Sequence, residues 1–360
     1  MTRFIQLHAL TVYPPSNPNR DDIGRPKTAS FGGVERLRIS SQAMKRAIRT
    51  SRAFKDRVGA HRGDRTQRLG QMIADYLTSA GLEPPQAVEG ARSICEVFGK
   101  PKDARDKHPV YIEQLAFISP EEREAAFRMA DRIVAGEGLP DKGVLVAEVL
   151  RKTDTATDIA MFGRMMADNP DFNREAAVQV AHAITTHRVD IEEDFFTAVD
   201  DLKRPSEDAG AGFIGELGFG SGVFYVYCCI DQGLLVANLG GDEGLARAAI
   251  AGLIEGLATA APTGKQASFA SRVHASFLRI EKGPQQPRSL AAAFLKPIRA
   301  DDLLGASIAA IEGDGTDRLP GLAAAMNRAY GSCFDTHYVM NVTAGAGSLA
   351  DAIAFAGDER

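Results

Sequence analysis

An α+β fold with a ferredoxin-like core is predicted by three features of the 360-residue sequence. Apolar residues alternate at period 2 in short runs near both ends of the chain, and recur at helical spacing in a block between residues 59 and 182. A Gly- and charge-rich stretch, KRPSEDAGAGFIGELGFGSG, interrupts the second β-rich part and cannot bury a core. Without the block and the interruption, the remaining order is β, α, β, β, α, β, a split β-α-β pattern.

Each element has a local reason. Phe4 to Val12 reads as the first strand. Asn17 to Lys27 is rich in Pro, Asn, Asp and Gly, the residues of turns, so Arg20, Arg25 and Lys27 project from a loop. Gly32 and Gly33 permit a tight reversal into a short half-buried strand, where Leu37 and Ile39 alternate with Arg36 and Arg38. Ser40 and Ser41 are N-cap residues for a helix that carries Gln42, Lys45, Arg46 and Arg49 on one face and Ala43, Met44, Ala47 and Ile48 on the other. In the helical block, Ser119, Pro120 and Glu122 form a capping box. Further periodic stretches span Leu69 to Leu77, Ala87 to Phe98, Val144 to Leu150 and Thr155 to Met166. From Val178 the pattern is β, through VQVAHAITTHRVD and then Phe196 to Leu202. Val223 to Ile230 is a strand, Asp242 to Ala260 a helix, Ala267 to Ile280 strand-rich, Leu319 to Tyr330 a helix and Tyr338 to Val342 a last strand.

Composition narrows the class. An apolar content of 44% supports a real core, and neither a signal-like h-region nor a membrane-length apolar run is present, which predicts a cytoplasmic protein. Four cysteines (95, 228, 229 and 333) lack C-x-x-C spacing, so neither a disulfide framework nor a zinc ribbon is predicted. The net charge of −5 conceals a segregation: residues 1 to 70 carry 15 basic against 5 acidic side chains, and the rest carry 27 against 42. A helix start, seryl hydroxyls and a basic helix face together suit phosphate oxygens. With no Trp, any grip on a nucleic acid leans on backbone contacts more than on aromatic stacking.

In order and nearly contiguous, NRDD (19–22), GRPK (24–27), FGG (31–33) and RISSQxxKRAxR (38–49) closely resemble the N-terminus of the CasC branch of the Cas-seven family, within the RAMP superfamily. Those proteins are the repeated backbone subunits of the type I-E CRISPR Cascade complex. Further similarity lies in GRM (163–165), AHAITTH (181–187), FTAVDDL (196–202), SGVFY (221–225) and GKQ (264–266), while the helical block and the last hundred residues match loosely.

The resemblance implies a hand: an RRM-like palm (1–58, 183–200 and 222–360), helical fingers (59–182) and a thumb hairpin (201–221). It also implies a non-catalytic protein with no cofactor that polymerises head to tail along crRNA and presents its bases to target DNA. Arg20, Lys27, Lys45, Arg46 and Arg49 would hold phosphates, with Ser40, Gln42, Gln266 and Lys265 assisting. Arg164 would join them, and Met165 would wedge apolar surface between bases. The implied partners are crRNA, target DNA, further copies of the chain, end-cap subunits, a large subunit and small subunits, without a membrane.

Other chemistries are weaker. Gly210, Gly212 and Gly215 spell G-x-G-x-x-G but follow a loop and lead to a strand, the wrong context for a dinucleotide. Gly264-Lys265 lacks the hydroxyl residue and first glycine of a Walker A loop. Gly345, Gly347 and Ala350 open a helix too near the chain end for an acidic ribose ligand. His182 and His187 are five apart, which on a strand places them on opposite faces. The main alternative is a metal-dependent RNA endonuclease built on Asp190, Glu192, Glu193, Asp194, Asp200 and Asp201. A monomeric RRM-type module is the other.

Overall fold

The computed structural model describes residues 3–198, 213–315 and 320–358. The chain begins with β1 (Phe4–Ser16), in which Ile5, Leu7 and Ala9 on one side and His8 and Leu10 on the other are all buried. Such a strand belongs inside a sheet covered on both faces. A hairpin of β2 (Thr28–Phe31) and β3 (Val34–Ile39) turns on Gly32 and Gly33, both left-handed at φ 62° and 77°. α1 (Ser41–Thr50) starts on Ser40, whose Oγ accepts from the Ala43 N–H at 3.3 Å, and α2 (Arg52–Val58) restarts on Ser51 in the same manner.

The helical block follows as β4 (Asp64–Thr66), α3 (Leu69–Ser79), α4 (Pro84–Cys95), β5 (Ala116–Ile118), α5 (Pro120–Val134), α6 (Lys142–Val149) and α7 (Thr157–Phe162). It has its own core, with Leu69, Ile73, Leu77, Ile94 and Val149 at its centre. It is not purely helical, because β4 and β5 pair with each other. The capping box forms: Ser119 Oγ accepts from the Glu122 N–H, and Glu122 Oε2 accepts from the Ser119 N–H. α7 is shorter than the periodic run 155–166, because Gly163 at φ 79° ends it.

Next come β6 (Val178–Val180), β7 (Ala183–Thr185), β8 (Glu192–Ala198), β9 (Phe213–Asp231), α8 (Gln232–Asn238), α9 (Glu243–Thr259) and α10 (Gln266–Phe269). The chain finishes with β10 (Ala275–Gly283), α11 (Leu303–Glu312), α12 (Leu322–Tyr330), β11 (Thr336–Asn341) and α13 (Leu349–Gly357). Three sequence readings are corrected here. The run 178–190 is two short strands instead of one, the strand expected at Phe196 starts at Glu192, and the stretch from Ala267 opens with one helical turn.

The sheet order is β11-β10-β1-β9-β7-β3-β2, with β6 and β8 also paired to β9, and these pairings are antiparallel. β10, β1, β9 and β7, with α1, α2 and α9 against one face, carry the split β-α-β order the sequence predicts. On that face Ile5, Leu7, Ile48, Phe54, Ile250 and Leu253 pack together. The opposite face is covered as well, by the Ala291–Phe294 turn, α11 and α12 packed on Leu10, Tyr225 and Phe277. Arg36 is therefore not the solvated side of a half-buried strand. It is fully buried and donates to the carbonyls of Phe31, Thr185 and Phe294 at 3.2, 3.0 and 2.8 Å.

A buried polar cluster lies within this second face. His8 Nδ1 is 2.9 Å from the Tyr225 hydroxyl, and its Nε2 is 3.7 Å from Glu281 Oε2. Glu281 is also paired with Arg279 and Arg288. Burial pulls the His8 pKa below its usual value, so the ring is neutral in the fold. Burial would raise Glu281, but the hydrogen bonds from Arg288 and Arg279 and the nearby His8 ring hold it below the usual carboxylate range. Both groups bind fewer protons folded than unfolded, so their contribution is complete above about pH 6.5, the unfolded histidine value, and is lost on acidification. The melting temperature is expected to fall steadily between pH 7 and 5. His8→Gln, which keeps an acceptor for Tyr225, flattens the upper part of that decline. An equally steep decline in the variant would remove His8 from the account.

Candidate nucleic-acid interface

The basic N-terminal run is distributed over a rigid frame. In the loop before β2, Asp21 Oδ1 accepts from the N–H groups of Ile23 and Arg25. Asn17 Nδ2 donates to the carbonyls of Gly24 and Gly218, which ties the loop to β9. Asn19 Oδ1 accepts from the Ser40 N–H at 2.8 Å and so joins the loop to the start of α1. Arg20 and Lys27 are left without side-chain partners among the described residues. Arg25 instead spans 2.7 Å to Glu193 on β8.

Four α1 residues, Gln42, Lys45, Arg46 and Arg49, line one side of a cleft of about 700 Å³. The far wall comes from the helical block: Arg65 on β4, Gln114, Leu115 and Phe117 around β5, and Met165 after α7. Met165 is 85% exposed, so it is not a core methionine; Met166 takes that place at 8%. Lys45 sits 5.7 Å from the Phe162 ring centroid, and partial burial lowers its pKa. Arg49 is less available than its neighbours. It lies 3.2 Å from the buried Asp158, donates to the Gly63 carbonyl and covers the Phe117 ring.

Arg164 is corrected outright. Its side chain is 3% exposed and paired with the fully buried Glu122, and it also donates to the carbonyls of Phe117, Arg151 and Phe172. It borders the cleft, yet its guanidinium is committed to these internal partners. It anchors one side of the Met165 loop, while Asn173 Oδ1 accepts the Met166 N–H at 2.6 Å on the other. Ser40 is also committed, since its hydroxyl caps α1.

Lys265 and Gln266 lie elsewhere on the same surface. Gly264 packs against the Pro18 backbone so closely that an added Cβ would fall 2.4 Å from the Pro18 carbonyl oxygen. A hollow is lined there by Asn19, Arg20, Asp21, Asp22 and Gly264. Lys265 is held in the left-handed region at φ 48°.

Two residues escaped the sequence reading. Arg65 belongs to the helical block, and only the fold brings it to α1. His182, read as a core or edge residue, is exposed at the α1 start, where its Nδ1 accepts from the Ser41 N–H and faces Arg38 Nη1, each at 3.3 Å. Burial, then Arg38 and Lys27, lower its pKa and favour the neutral ring that this acceptor role needs.

The described part of the acidic run supplies no comparable centre. Asp190 pairs with Arg188 and Glu193 with Arg25, and among the described residues no three His, Cys, Asp or Glu side chains converge as metal ligands. Asp200 and Asp201, like Gly210 and Gly212, lie outside the described residues. The four cysteines are buried and free. No helix among the described residues is long and apolar enough to cross a membrane.

The family model described as CT1975-like protein matches residues 5–356. Comparison with curated protein sequences finds no match. Among solved structures, a chain of a CRISPR RNA-guided surveillance complex in a pre-nicking state superposes with a TM-score of 0.82 and 28% identity, covering 99% of this chain and 100% of that one. A chain of another CRISPR RNA-guided surveillance complex gives 0.68 and 23%, covering 98% and 99%, a likeness of fold.

Proposed function

The chain belongs to the CT1975-like protein family, and from that premise we propose that it is a crRNA-binding backbone subunit of a CRISPR surveillance complex of the Cas-seven type. The observation that carries the reading is the cleft, where the α1 face (Gln42, Lys45, Arg46) opposes the exposed Met165 and Leu115 across about 700 Å³. Cations on one wall suit a phosphodiester backbone, and an apolar projection on the other suits bases. Arg20, Lys27 and Lys265 extend the cationic surface. Contacts of this kind carry no sequence preference, which suits a protein that must accept any guide.

Copies would add head to tail along the RNA, since a heterologous interface that does not close repeats until its template ends. Target DNA and the remaining subunits of the complex would be the further partners, and the subunit itself would not be the nuclease.

The test is binding to labelled RNAs of unrelated sequence and increasing length, as a function of salt. Stoichiometry should climb with length, and sequence should hardly matter. Lys45→Ala/Arg46→Ala should make the salt slope shallower by about 1.4, at about 0.7 per lost single-strand phosphate contact. This pair is a cleaner probe than any change at Arg49, whose loss would strand Asp158. One protein bound per RNA at every length would point to a lone RNA-binding module. RNA cleavage abolished by Asp200→Ala with binding intact would point to a nuclease.

A further inference from the structure

None of the contacts above accounts for a third depression, a groove of about 370 Å³ between the α1–α2 junction and the 259–274 loop. Thr50 and Arg52 line one side, and Thr263, Gln266, Arg272 and His274 the other. No carboxylate lines it, although the chain carries 47 acidic residues against 42 basic ones. Arg52 spans 3.2 Å to Asp56, both strongly exposed, whereas Arg272 and His274 are exposed with no side-chain partner among the described residues.

The loop that forms the far wall is held under strain. Among the described residues only Lys265 and Ala270 adopt positive φ without being glycine, at 48° and 50°, and they bracket α10 within this loop. Side chains in the left-handed region are strained and persist where the surroundings impose them. Two such residues in one connection fix the wall in place. Gly264 presses the same loop onto Pro18, so one side of it faces the Arg20 hollow and the other faces the groove. α1 stands between the groove, which Ala47 and Thr50 line, and the cleft, which Lys45 and Arg46 line.

We infer that this groove is a second track for the RNA backbone, continuing the path past Lys265, with Arg272 as its ionic contact and Thr50 and His274 as hydrogen-bonding partners. The inference rests on the proposed RNA-binding function. A polyanion fits because Arg52, Arg272 and His274 are the charged or titratable side chains of a lining otherwise made of neutral polar and small apolar residues, with no carboxylate to offset them, and RNA fits because the groove adjoins the Arg20 and Lys265 contacts through one loop.

The experiment measures affinity of the full chain for a labelled single-stranded RNA of mixed sequence over a salt series, with Arg272→Ala, Arg272→Lys and Lys45→Ala. Arg272 is exposed, so the fold and melting temperature should be unaffected. Arg272→Ala should weaken binding several-fold and reduce the salt slope by about 0.7, the value for one lost phosphate contact, and Arg272→Lys should restore the slope. Unchanged affinity and slope for Arg272→Ala, with Lys45→Ala impaired, would overturn the groove and leave the proposed function standing. If wild type fails to bind, or Lys45→Ala is also silent, the proposed function falls and the groove with it. Altered self-association of Arg272→Ala without RNA would assign the groove to another protein chain and overturn the inference too.

Discussion

Arg164→Ala should destabilise the protein by about 3–5 kcal/mol, the usual cost of leaving a buried charge without its partner. Glu122 is the residue left behind. It is fully buried, accepts from the N–H groups of Ser119 and Arg151, and depends on Arg164 for its counter-charge. Arg164→Met/Glu122→Gln, which removes both charges and keeps the volume, should lose much less than the single change. Chemical denaturation of the three proteins provides the measurement. If Arg164→Ala melts like wild type but binds RNA poorly, Arg164 reaches the ligand after all and the geometry described here is wrong.

Gly264→Ala should weaken RNA binding on the order of ten-fold, equivalent to about 1.4 kcal/mol, and by more than Lys265→Ala does. The added methyl would lie 2.4 Å from the Pro18 carbonyl oxygen, and backbone cannot yield as a flexible side chain can. Moving the loop away shifts Lys265 and disturbs Arg20 together, so two contacts are lost through one methyl group. Equal losses in Gly264→Ala and Lys265→Ala would show that the two loops are not coupled.

The sequence was legible where local chemistry decides the outcome. Ser40, the Gly32-Gly33 turn, the Ser119–Glu122 capping box and the apolar side of α1 all form as their residue types require. It was illegible where a remote element decides. Alternation in β3 places Arg36 opposite Leu37 and Ile39, but nothing nearby reveals that the Ala291–Phe294 turn covers that side. α11 (LLGASIAAIE) is apolar nearly all round, so no stripe marks which face packs. At the site, spacing along α1 assembles Gln42, Lys45 and Arg46, whereas Arg65 meets them only through the fold. Adjacent residues can also part company: Met165 is exposed while Arg164 and Met166 are buried, a reversal that helical period cannot encode in a loop.

β9 runs for 19 residues without a break, from its pairing with β8 at Phe213 to its pairing with β1 at Asp231. At about 3.3 Å per residue it is a beam roughly 60 Å long. Its outer part, to Phe219, pairs with β8 and its inner part, from Gly220, with β1, so two ladders meet on one strand beside a register shift in β1. Swinging the hairpin independently would mean bending β9 where the ladders change partner, in the run that holds Gly218, Gly220 and Gly222. In a repeating assembly, an arm that shares one backbone with the central strand would pass a neighbour's displacement into the sheet.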